Sequence, residues 1–375
     1  MRYWFTTLLV LAAAAFGQNT PVTRNGDFWE RSAAAEPTRM LPQVRRVEIF
    51  TRGSVSVRGS DDGFIKIKVN QRVRASSAEA ANGIWGPLNM ARLTTPSPGT
   101  LRLELYLPAL RAESKIEILL PRQIPTVWVN NQLGPVQVYD FDGGVHAETG
   151  GGHLTMDRIR GNVYAHTGLG DVRLGAIGGS VVCSSGGGTV TLASAAGEAN
   201  CATGGGDIAI KSVGGLLTVS TEGGNIRVEK AGGTVRAKSM AGLVQVDEAR
   251  GSVFADSGGG TVRVRGGSGP LSVSTMMGDV LADLLAGGHF ADSSLMSGSG
   301  NITVTIPANL GLVVRARNDM GMAPRIVSDF PDIQTKSINF RSAVAQGAIN
   351  GGGPILDLDA NGTIYLRRAK CCLAK

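Results

Sequence analysis

The chain has 375 residues, of which 53 are glycine, 5% are aromatic and 18% are charged. This composition excludes a core built mainly on large aromatic rings and favours a repetitive core. The formal net charge of +7 is a modest excess over this length; it weakly favours acidic polymers of the cell envelope as partners and does not require nucleic acid.

The chain begins with an expected secretory signal peptide at residues 1-17, "MRYWFTTLLVLAAAAFG". Arg2 precedes an apolar run, and Ala15-Phe16-Gly17 is a small-x-small cleavage pattern. The run is too short to span a bilayer, and no later stretch reaches the roughly 18 apolar residues of a membrane helix. We therefore expect an extracytoplasmic protein, in the periplasm, on the outer surface or secreted, with no transmembrane span.

The N-terminal part of the mature chain has weak periodicity. Residues 18-43 lack alternation and are predicted to be a linker. Residues 44-133 contain less regular strands, such as "FIKIKVNQRV", and are predicted to form an irregular solenoid segment that caps the repeats. Within them, residues 75-99 are rich in Ala, Ser, Asn and Pro and are expected to be a surface insertion.

Residues 134-288 carry a nine-residue repeat that begins with glycine. Apolar residues follow two and four positions later, as in Ile208 and Ile210 after Gly206. This pattern is typical of a short half-buried strand and a tight turn, where glycine can adopt positive φ. The repeat glycines are Gly134, Gly143, Gly152, Gly161, Gly170, Gly179, Gly188, Gly197, Gly206, Gly215, Gly224, Gly233, Gly242, Gly251, Gly260, Gly269, Gly278 and Gly287.

Two kinds of unit alternate along the repeat, which distinguishes a solenoid from an antiparallel meander. In every second unit the fifth strand position is a hydroxyl residue, so that like residues recur every eighteen. Like strands should therefore stack on like strands, with the hydroxyls facing inward and hydrogen-bonding between coils. The hydroxyl positions are Thr149, Thr167, Ser185, Thr203, Thr221, Ser239, Ser257 and Thr275.

The predicted fold is all-β: a single-stranded, two-sided parallel β-solenoid, or β-helix, with about 18 residues per coil. A meander of this length would exceed the roughly ten strands that an open sheet tolerates. Its crossovers should be right-handed by the general rule for parallel strands. Residues 289-368 continue the alternation without the nine-residue register and are predicted to be an irregular C-terminal solenoid and cap. Residues 369-375 are expected to be a frayed tail.

The chain resembles the DUF4097 family of adhesin-like, exported bacterial solenoids. The resemblance rests on "TRGSVSVRGSDDGFIKIKV", on "GDV" and "GNI" units such as those at Gly170 and Gly224, and on the closing "GSGNITVTIP" and "NGTIYL". It covers roughly residues 44 to 366. It implies an extracytoplasmic repeat domain with an adhesin-like or scaffolding role and brings no catalytic residues.

Three histidines near the first coils form the candidate site with the richest chemistry. The 18-residue register places Glu148 beneath His166 and His146 beneath Tyr164, all facing outward. A metal or acid-base site is conceivable there, but a solvated polar face is the favoured interpretation of such a cluster. Other members close in sequence are His153, Asp140, Asp142 and Asp157. We expect no catalytic, cofactor-binding or metal-binding residue here.

Cysteines and turn aspartates offer two further candidates. Cys183 and Cys201 should stack at the same inward position, and we expect a buried reduced pair because parallel Cβ directions suit a disulfide poorly. Cys371 and Cys372 are expected to form intermolecular bonds or none. The turn residues Asp171, Asp207 and Asp279 are too few for a calcium-binding solenoid, and Ser297-Gly298-Ser299-Gly300 is interpreted as a turn.

The sequence therefore favours a non-enzymatic, exported β-solenoid acting as a surface or envelope scaffold. Its expected partners are a cell-envelope protein or polysaccharide along the outer faces, with end-to-end self-association as a further possibility and no cofactor. The alternative is a carbohydrate-active parallel β-helix enzyme on an acidic polysaccharide, which needs clustered carboxylates in a cleft. An ice-binding protein would need outward ranks of threonine, whereas the hydroxyl column here points inward.

Overall fold

The computed structural model describes residues 21–85, 91–105, 113–285, 290–319 and 325–369. They form an all-β structure of mostly parallel strands, which confirms the predicted β-solenoid. The chain divides into two compact units, Met1–Gly186 and Gly187–Lys375. The expected signal peptide lies outside the described residues, as does the tail from residue 370 onward.

The described part of the first unit contains the following elements in chain order: β1 (Val22–Asn25), β2 (Phe28–Ala34), β3 (Thr38–Arg39), β4 (Arg46–Thr51), β5 (Ser54–Ser60), β6 (Phe64–Val73), α1 (Ala78–Trp85), β7 (Ala91–Ser97), β8 (Thr100–Leu105), β9 (Glu113–Pro121), β10 (Thr126–Asn131), β11 (Val136–Phe141), β12 (Gly144–Thr149), β13 (Leu154–Ile159), β14 (Val163–Thr167), β15 (Val172–Ile177) and β16 (Val181–Ser185). Its sheet A consists of β1, β2, β3, β5, β6, β9, β11, β13 and β15, and its sheet B of β4, β7, β8, β10, β12, β14 and β16.

The described part of the second unit contains these strands: β17 (Val190–Ala195), β18 (Ala199–Thr203), β19 (Ile208–Val213), β20 (Leu217–Thr221), β21 (Ile226–Ala231), β22 (Val235–Ser239), β23 (Val244–Ala249), β24 (Val253–Ser257), β25 (Val262–Gly267), β26 (Leu271–Thr275), β27 (Val280–Leu284), β28 (Ser293–Ser297), β29 (Ile302–Ile306), β30 (Leu312–Asp319), β31 (Ile326–Ser328), β32 (Gln334–Asn339), β33 (Ser342–Ile349), β34 (Ile355–Ala360) and β35 (Ile364–Arg368). They too form two sheets.

Within the nine-residue repeat of each unit, a strand pairs with the strand after next, eighteen residues along the chain. In the second unit Ile208 lies beside Ile226, and Ile226 lies beside Val244, all in parallel register. In the first unit Val145 pairs in parallel with Val163. This register confirms the predicted coil length and excludes the antiparallel meander for the repeat.

Alternate side chains of the repeat strands point inward and fill the interior. Ile208, Ile210 and Val213 of β19 are each only 1% exposed. Because strands eighteen residues apart pair in register, the inward residues of successive coils stack in columns of like side chains. The core therefore forms from many small aliphatic residues, as expected from the low aromatic content.

Close packing between coils explains the repeat glycines, which corrects the expectation of positive φ. Gly134 does lie in the left-handed region, with φ +106°, but Gly224 and Gly242 do not. A Cβ added at Gly224 would lie 2.0 Å from the carbonyl oxygen of Gly206, and one at Gly242 would lie 2.0 Å from that of Gly224. Glycine is therefore needed because the backbone of the preceding coil occupies the space of a side chain.

The predicted inward hydroxyls bond to the backbone of these glycine turns. Thr167 donates its Oγ1 hydrogen to the carbonyl oxygen of Gly152 at 2.7 Å and accepts the N–H of Gly170 at 3.1 Å. The Thr167 hydroxyl thus joins the turn of its own coil to the turn of the coil before. The donation recurs at Thr149, Ser185, Thr203, Thr221, Ser239, Ser257 and Thr275.

The N-terminal coils do not stack in chain order. Val47 of β4 pairs in parallel with Leu101 of β8 on one side and with Val127 of β10 on the other. In the same way β5 lies between β9 and β11. The coil formed by residues 46–60 is therefore inserted between two coils that come later in the chain.

The described residues of the segment 18-43 form strands, so the prediction of a linker is wrong. β1 and β2 form an antiparallel hairpin, and β2 pairs antiparallel with β6. The Nε1 of Trp29 donates to the carbonyl oxygen of Ala75 at 3.0 Å. These short strands lack apolar alternation, but they satisfy the backbone groups at the edge of β6.

The predicted insertion at residues 75-99 is also packed rather than a simple surface excursion. It contains α1, whose Trp85 is fully buried and packs with Val73 and Ala81. The Ser77 hydroxyl accepts the N–H of Ala80 at 3.2 Å at the start of this helix. β7 then pairs antiparallel with β8. In the described part of the chain, no helix is long and apolar enough to cross a membrane.

The C-terminal cap repeats this out-of-order arrangement. The nine-residue register is lost after β27, where Ala282 pairs with Val304, 22 residues later. β34 and β35 then pair in parallel with β28 and β29, and β30 pairs in parallel with β34. Finally β33 pairs antiparallel with β30, and β32 with β33. Antiparallel strands therefore end the parallel stacking in both units.

Candidate functional site

The outward positions of sheet B bring part of the predicted histidine cluster together. His146 of β12 lies beside Tyr164 of β14, and Glu148 lies beside His166, as the sequence register predicted. The Nε2 of His146 is 2.8 Å from Oε1 of Glu148. The Nδ1 of His166 is instead 2.8 Å from the hydroxyl of Ser184.

The remaining members of the predicted cluster lie elsewhere. Asp140 and Asp157 belong to sheet A, where both form ion pairs with Arg158. His153 lies in a turn, and its Nδ1 accepts the N–H of Asp171 at 3.0 Å. Asp142 pairs with Arg122 and Arg160. Within the described ranges, no group of three His, Cys, Asp or Glu side chains could hold a metal ion.

An aromatic column on sheet B was not predicted. The ring centroids of Trp128 and His146 are 4.1 Å apart, and those of His146 and Tyr164 are also 4.1 Å apart. The guanidinium of Arg46 covers the free side of Trp128, with Cζ 4.3 Å from the ring centroid. The three rings are 18 residues apart in the sequence, and this spacing is the signal from which the column could have been predicted. Since each ring covers its neighbour, the column stiffens the face rather than offering a flat platform.

The turn aspartates serve as hydrogen-bond acceptors between coils. Oδ1 of Asp207 accepts the N–H of Asn225 at 2.7 Å, and Oδ1 of Asn225 accepts the N–H of Leu243 at 2.9 Å. Asp279 does the same for Asn301, at 2.7 Å. The Asp and Asn side chains of the "GDV" and "GNI" units therefore have a structural role, because they accept hydrogen bonds from backbone N–H groups of the next coil. This role needs no calcium.

Cys183 and Cys201 are both disulfide-bonded, so the expectation of a reduced pair is wrong. Both side chains are buried, with exposures of 1% and 0%. Ser297, in the segment interpreted as a turn, donates to the carbonyl oxygen of Gly278 and accepts the N–H of Gly300, as the other inward hydroxyls do.

The described residues of the first unit form a trough on the outer face of sheet A. It consists of two cavities, of about 660 Å³ and about 800 Å³, which share Lys115 as a lining residue. The strands beneath it are β2, β6, β9 and β5, in that order. Because side chains alternate along a strand, β6 directs Lys66, Lys68, Asn70 and Arg72 to this face. We call this recess the outer trough.

Ion pairs fix most of the cations in the outer trough. Arg72 contacts Glu113, which raises the pKa of Arg72, and Nζ of Lys115 is 2.8 Å from Oε1 of Glu117. Lys66 contacts Asp62 and lowers the pKa of Asp62 to about 2 by its hydrogen bond. Lys68 is exposed and forms no ion pair with any residue in the described ranges. Across the strand pair it faces Glu117, the carboxylate that contacts Lys115.

Tyr139 marks the wider end of the trough, between two arginines. The Cζ atoms of Arg58 and Arg158 are 5.6 and 5.8 Å from its ring centroid. Nε of Arg158 is 2.6 Å from Oδ1 of Asp140, and this hydrogen bond lowers the pKa of Asp140. Arg58 also pairs with Asp140, at 3.6 Å. Little in the sequence indicates the trough, because β2 and β6 are brought together by antiparallel pairing that no repeat of the chain predicts.

The comparisons with known proteins do not establish a family. No protein-family model matches the chain, and no curated protein matches it. The resemblance to the DUF4097 family is therefore not confirmed.

Solved structures that are similar include three bacterial proteins. One is a proposed cell adhesion protein from Clostridium sporogenes ATCC 15579, with 11% identity over 91% of this chain and 100% of that chain, and a TM-score of 0.21. Another is a proposed adhesin from Bacteroides fragilis NCTC 9343, with 10% identity over 92% and 98% of the two chains and a TM-score of 0.18. The third is a proposed lipid-binding protein from Parabacteroides distasonis ATCC 8503, with 14% identity over 92% and 98% and a TM-score of 0.22. With TM-scores this low, these similarities support no conclusion about this chain.

Proposed function

We propose that the protein is an exported, non-enzymatic β-solenoid that acts as an adhesin-like scaffold at the cell surface or in the envelope. It binds a polysaccharide or a protein along an outer face. The observation that carries this proposal is the outer trough, in which two cavities follow one another along β6 and share Lys115. Export is supported by the signal-like sequence of residues 1-17.

The shape of the trough supports an extended ligand. Its floor consists of hydrogen-bonded strands, so the side chains that face it stand at fixed intervals. The inward positions of these same strands are filled, with Ile67 6% and Ile118 1% exposed. A ligand can therefore lie along the outer face but cannot enter the core. This arrangement suits a chain-like partner better than a small enclosed substrate.

The protonation states near the trough favour binding over glycoside cleavage. A carbohydrate-active enzyme needs a general acid, whose pKa must be raised so that it is protonated near neutral pH. The hydrogen bond from Lys66 lowers the pKa of Asp62, and the hydrogen bond from Arg158 lowers that of Asp140. Both carboxyls therefore remain ionised. Neither of these two carboxyls is therefore suited to act as the general acid that the alternative of an enzyme on an acidic polysaccharide needs.

A binding screen combined with a product assay tests the proposal. The mature chain would be immobilised and exposed to envelope polysaccharides and envelope proteins, while each polysaccharide is also incubated with the protein and assayed for new reducing ends. We expect at least one ligand to bind and no new reducing ends to form. Cleavage of any glycan, or a failure of every ligand to bind, would overturn the proposed function.

A further inference from the structure

We propose that one corner of the second unit is a modification site, at which a peroxide converts methionine thioethers to sulfoxides while the fold stays intact. The site, which we call the methionine corner, consists of Met240, Met276, Met277 and Met296. This inference goes beyond the proposed function and does not depend on it, since the outer trough belongs to the first unit.

The strand register brings Met240 and Met276 to one edge of the second unit. Met240 follows the last residue of β22, and Met276 follows the last residue of β26. Ser239 pairs with Ser257, which in turn pairs with Thr275, so the two methionines hold the same position two coils apart. Because neighbouring strands lie about 4.8 Å apart, the Cα atoms of these two methionines are separated by roughly 10 Å.

Met277 and Met296 extend this edge. Met296 of β28 pairs with Ser274, two residues before Met276, and points outward. A strand spacing of about 4.8 Å and a rise of about 3.3 Å per residue place the Cα atoms of Met296 and Met276 roughly 8 Å apart. The Cε of Met277 lies 3.8 Å from the position that a Cβ would take at Gly259, in the turn of the preceding coil. The side chain of Met277 therefore lies over a glycine turn, on the outside of the coil.

Exposure distinguishes the methionine corner from a buried methionine of the same chain. The exposed fractions of Met240, Met276, Met277 and Met296 are 63%, 70%, 68% and 50%. Met156 of β13, in the interior of the first unit, is 0% exposed. A dissolved oxidant can reach the sulfur atoms of the corner but not that of Met156. We therefore expect the thioethers of the corner to react first.

The reaction at each sulfur is a two-electron oxidation by a peroxide. The thioether sulfur donates an electron pair to one peroxide oxygen, the O–O bond breaks, and an S–O bond forms. With hydrogen peroxide, the proton of the transferred oxygen moves to the departing hydroxide, so the products are one sulfoxide and one water molecule. A sulfoxide is polar, whereas the thioether is apolar. Oxidation therefore converts an apolar edge of the second unit into a polar one.

The inward hydroxyls and the aliphatic core hold this edge of the fold. Ser239, Thr275 and Ser297 donate their hydroxyl hydrogens to turn carbonyl oxygens of the coil before, at 2.9, 2.8 and 2.8 Å. Val273 and Leu295, on the inward side of β26 and β28, are buried. The methionines of the corner lie on the opposite, outward side. Their oxidation therefore leaves the hydroxyl column and the core packing in place.

Peptide mapping after exposure to hydrogen peroxide measures the order of oxidation. The full chain would be treated in the folded state and, as a control, unfolded in urea, and mass spectrometry would quantify the sulfoxide at each methionine over time. In the folded protein we expect the methionine corner to oxidise about tenfold or more faster than Met156, and in urea at a similar rate, because only folding shields Met156. Oxidation of Met156 as fast as that of the corner in the folded protein would overturn the inference.

Leucine variants separate the sulfur atoms from the apolar surface. The quadruple variant Met240→Leu, Met276→Leu, Met277→Leu and Met296→Leu keeps apolar side chains of similar volume but has no sulfur at the corner. Met156→Leu is the matched control, in which the corner is intact. On a hydrophobic-interaction column we expect peroxide to shorten the retention of the parent and of the control but not that of the quadruple variant. An equal change in all three proteins would count against the corner as the modification site.

Thermal melting tests whether the fold survives the modification. Protein in which the corner is oxidised and Met156 is still reduced should melt at the same temperature as untreated protein, because the inward contacts are unchanged. A melting temperature that falls in step with oxidation of the corner would contradict this and overturn the inference. The ligand screen for the proposed function is carried out without peroxide, so the proposed function and this inference can fail independently.

Discussion

Thr221 of β20 donates its hydroxyl hydrogen to the carbonyl oxygen of Gly206, in the turn of the preceding coil, at 2.9 Å. The same oxygen of Thr221 accepts the N–H of Gly224 in its own turn, at 3.1 Å. One side chain that is 3% exposed therefore satisfies two backbone groups and joins two coils. Because this arrangement recurs along the repeat, it determines how the coils are held at one edge.

Replacing this hydroxyl should destabilise the protein through the backbone groups that it leaves unpaired. We expect Thr221→Val to lower the free energy of unfolding by about 1–3 kcal/mol, the cost of buried polar groups without partners. Thr221→Ser keeps the hydroxyl and should cost clearly less. Urea denaturation monitored by circular dichroism measures both. A valine variant as stable as the serine variant would contradict the role of the hydroxyl.

Gly224 and Gly205, two glycines of the repeat, provide a test of close packing between coils. Gly224→Ala places a Cβ 2.0 Å from the carbonyl oxygen of Gly206 and should destabilise the protein by about 3 kcal/mol or more, because backbone must move. At Gly205 no atom lies within 4 Å of the added Cβ. Gly205→Ala should therefore leave the melting temperature nearly unchanged. Equal melting temperatures for the two variants would show that the steric explanation is wrong.

The Arg158–Asp140 ion pair should give stability a defined acid dependence. Its hydrogen bond lowers the pKa of Asp140 in the folded state below the usual value of about 3.9. The resulting stabilisation is complete above that value and is lost as the pH falls through the folded pKa. We expect it to be about 1 kcal/mol or less, since the pair is partly exposed.

Thermal melts between neutral and acid pH measure this dependence. Asp140→Asn and Arg158→Gln should each remove the contribution, so that their melting temperatures differ from that of the parent at neutral pH and approach it in acid. A constant difference across the whole pH range would show that the ion pair does not titrate as described.

The oxidation of Cys183 and Cys201 can be tested by mass spectrometry. Both are disulfide-bonded and buried in the structure. The protein, unfolded without reductant and treated with a maleimide, should therefore carry no label at either position. Prior reduction should label both. Labelling of either residue without reductant would instead support the sequence-based expectation of free thiols.

The repeat could be predicted because its physical causes act at short range. The spacing of Ile208 and Ile226 in the sequence equals the coil length, and each strand's partner is the strand after next. The inward hydroxyls were visible for the same reason. The positive φ expected for Gly224 was wrong, since a pattern of glycines does not distinguish backbone conformation from close contact.

The order in which the strands of the predicted caps pair could not be predicted, because their partners are distant in the sequence. Val47 pairs with Leu101 and Val127, and no periodicity of the chain marks these distances. The hairpin of β1 and β2 lacks apolar alternation and was therefore assigned to a linker. The outer trough depends on this hairpin and on the out-of-order pairing of the strands. Of its features, the sequence alone indicates only the alternation of Lys66 and Lys68 along β6.

The proposed binding along the outer trough can be examined by zero-length coupling. A carbodiimide joins a carboxylate of a bound protein or acidic polysaccharide to a lysine amine only when the two are in contact, and mass spectrometry of the digested complex identifies the lysine. We expect ligand adducts at Lys68 and Lys115 that exceed those at Lys211 and Lys238, two exposed lysines of the second unit. Adducts spread evenly over all four lysines, or confined to the latter two, would contradict binding in the trough.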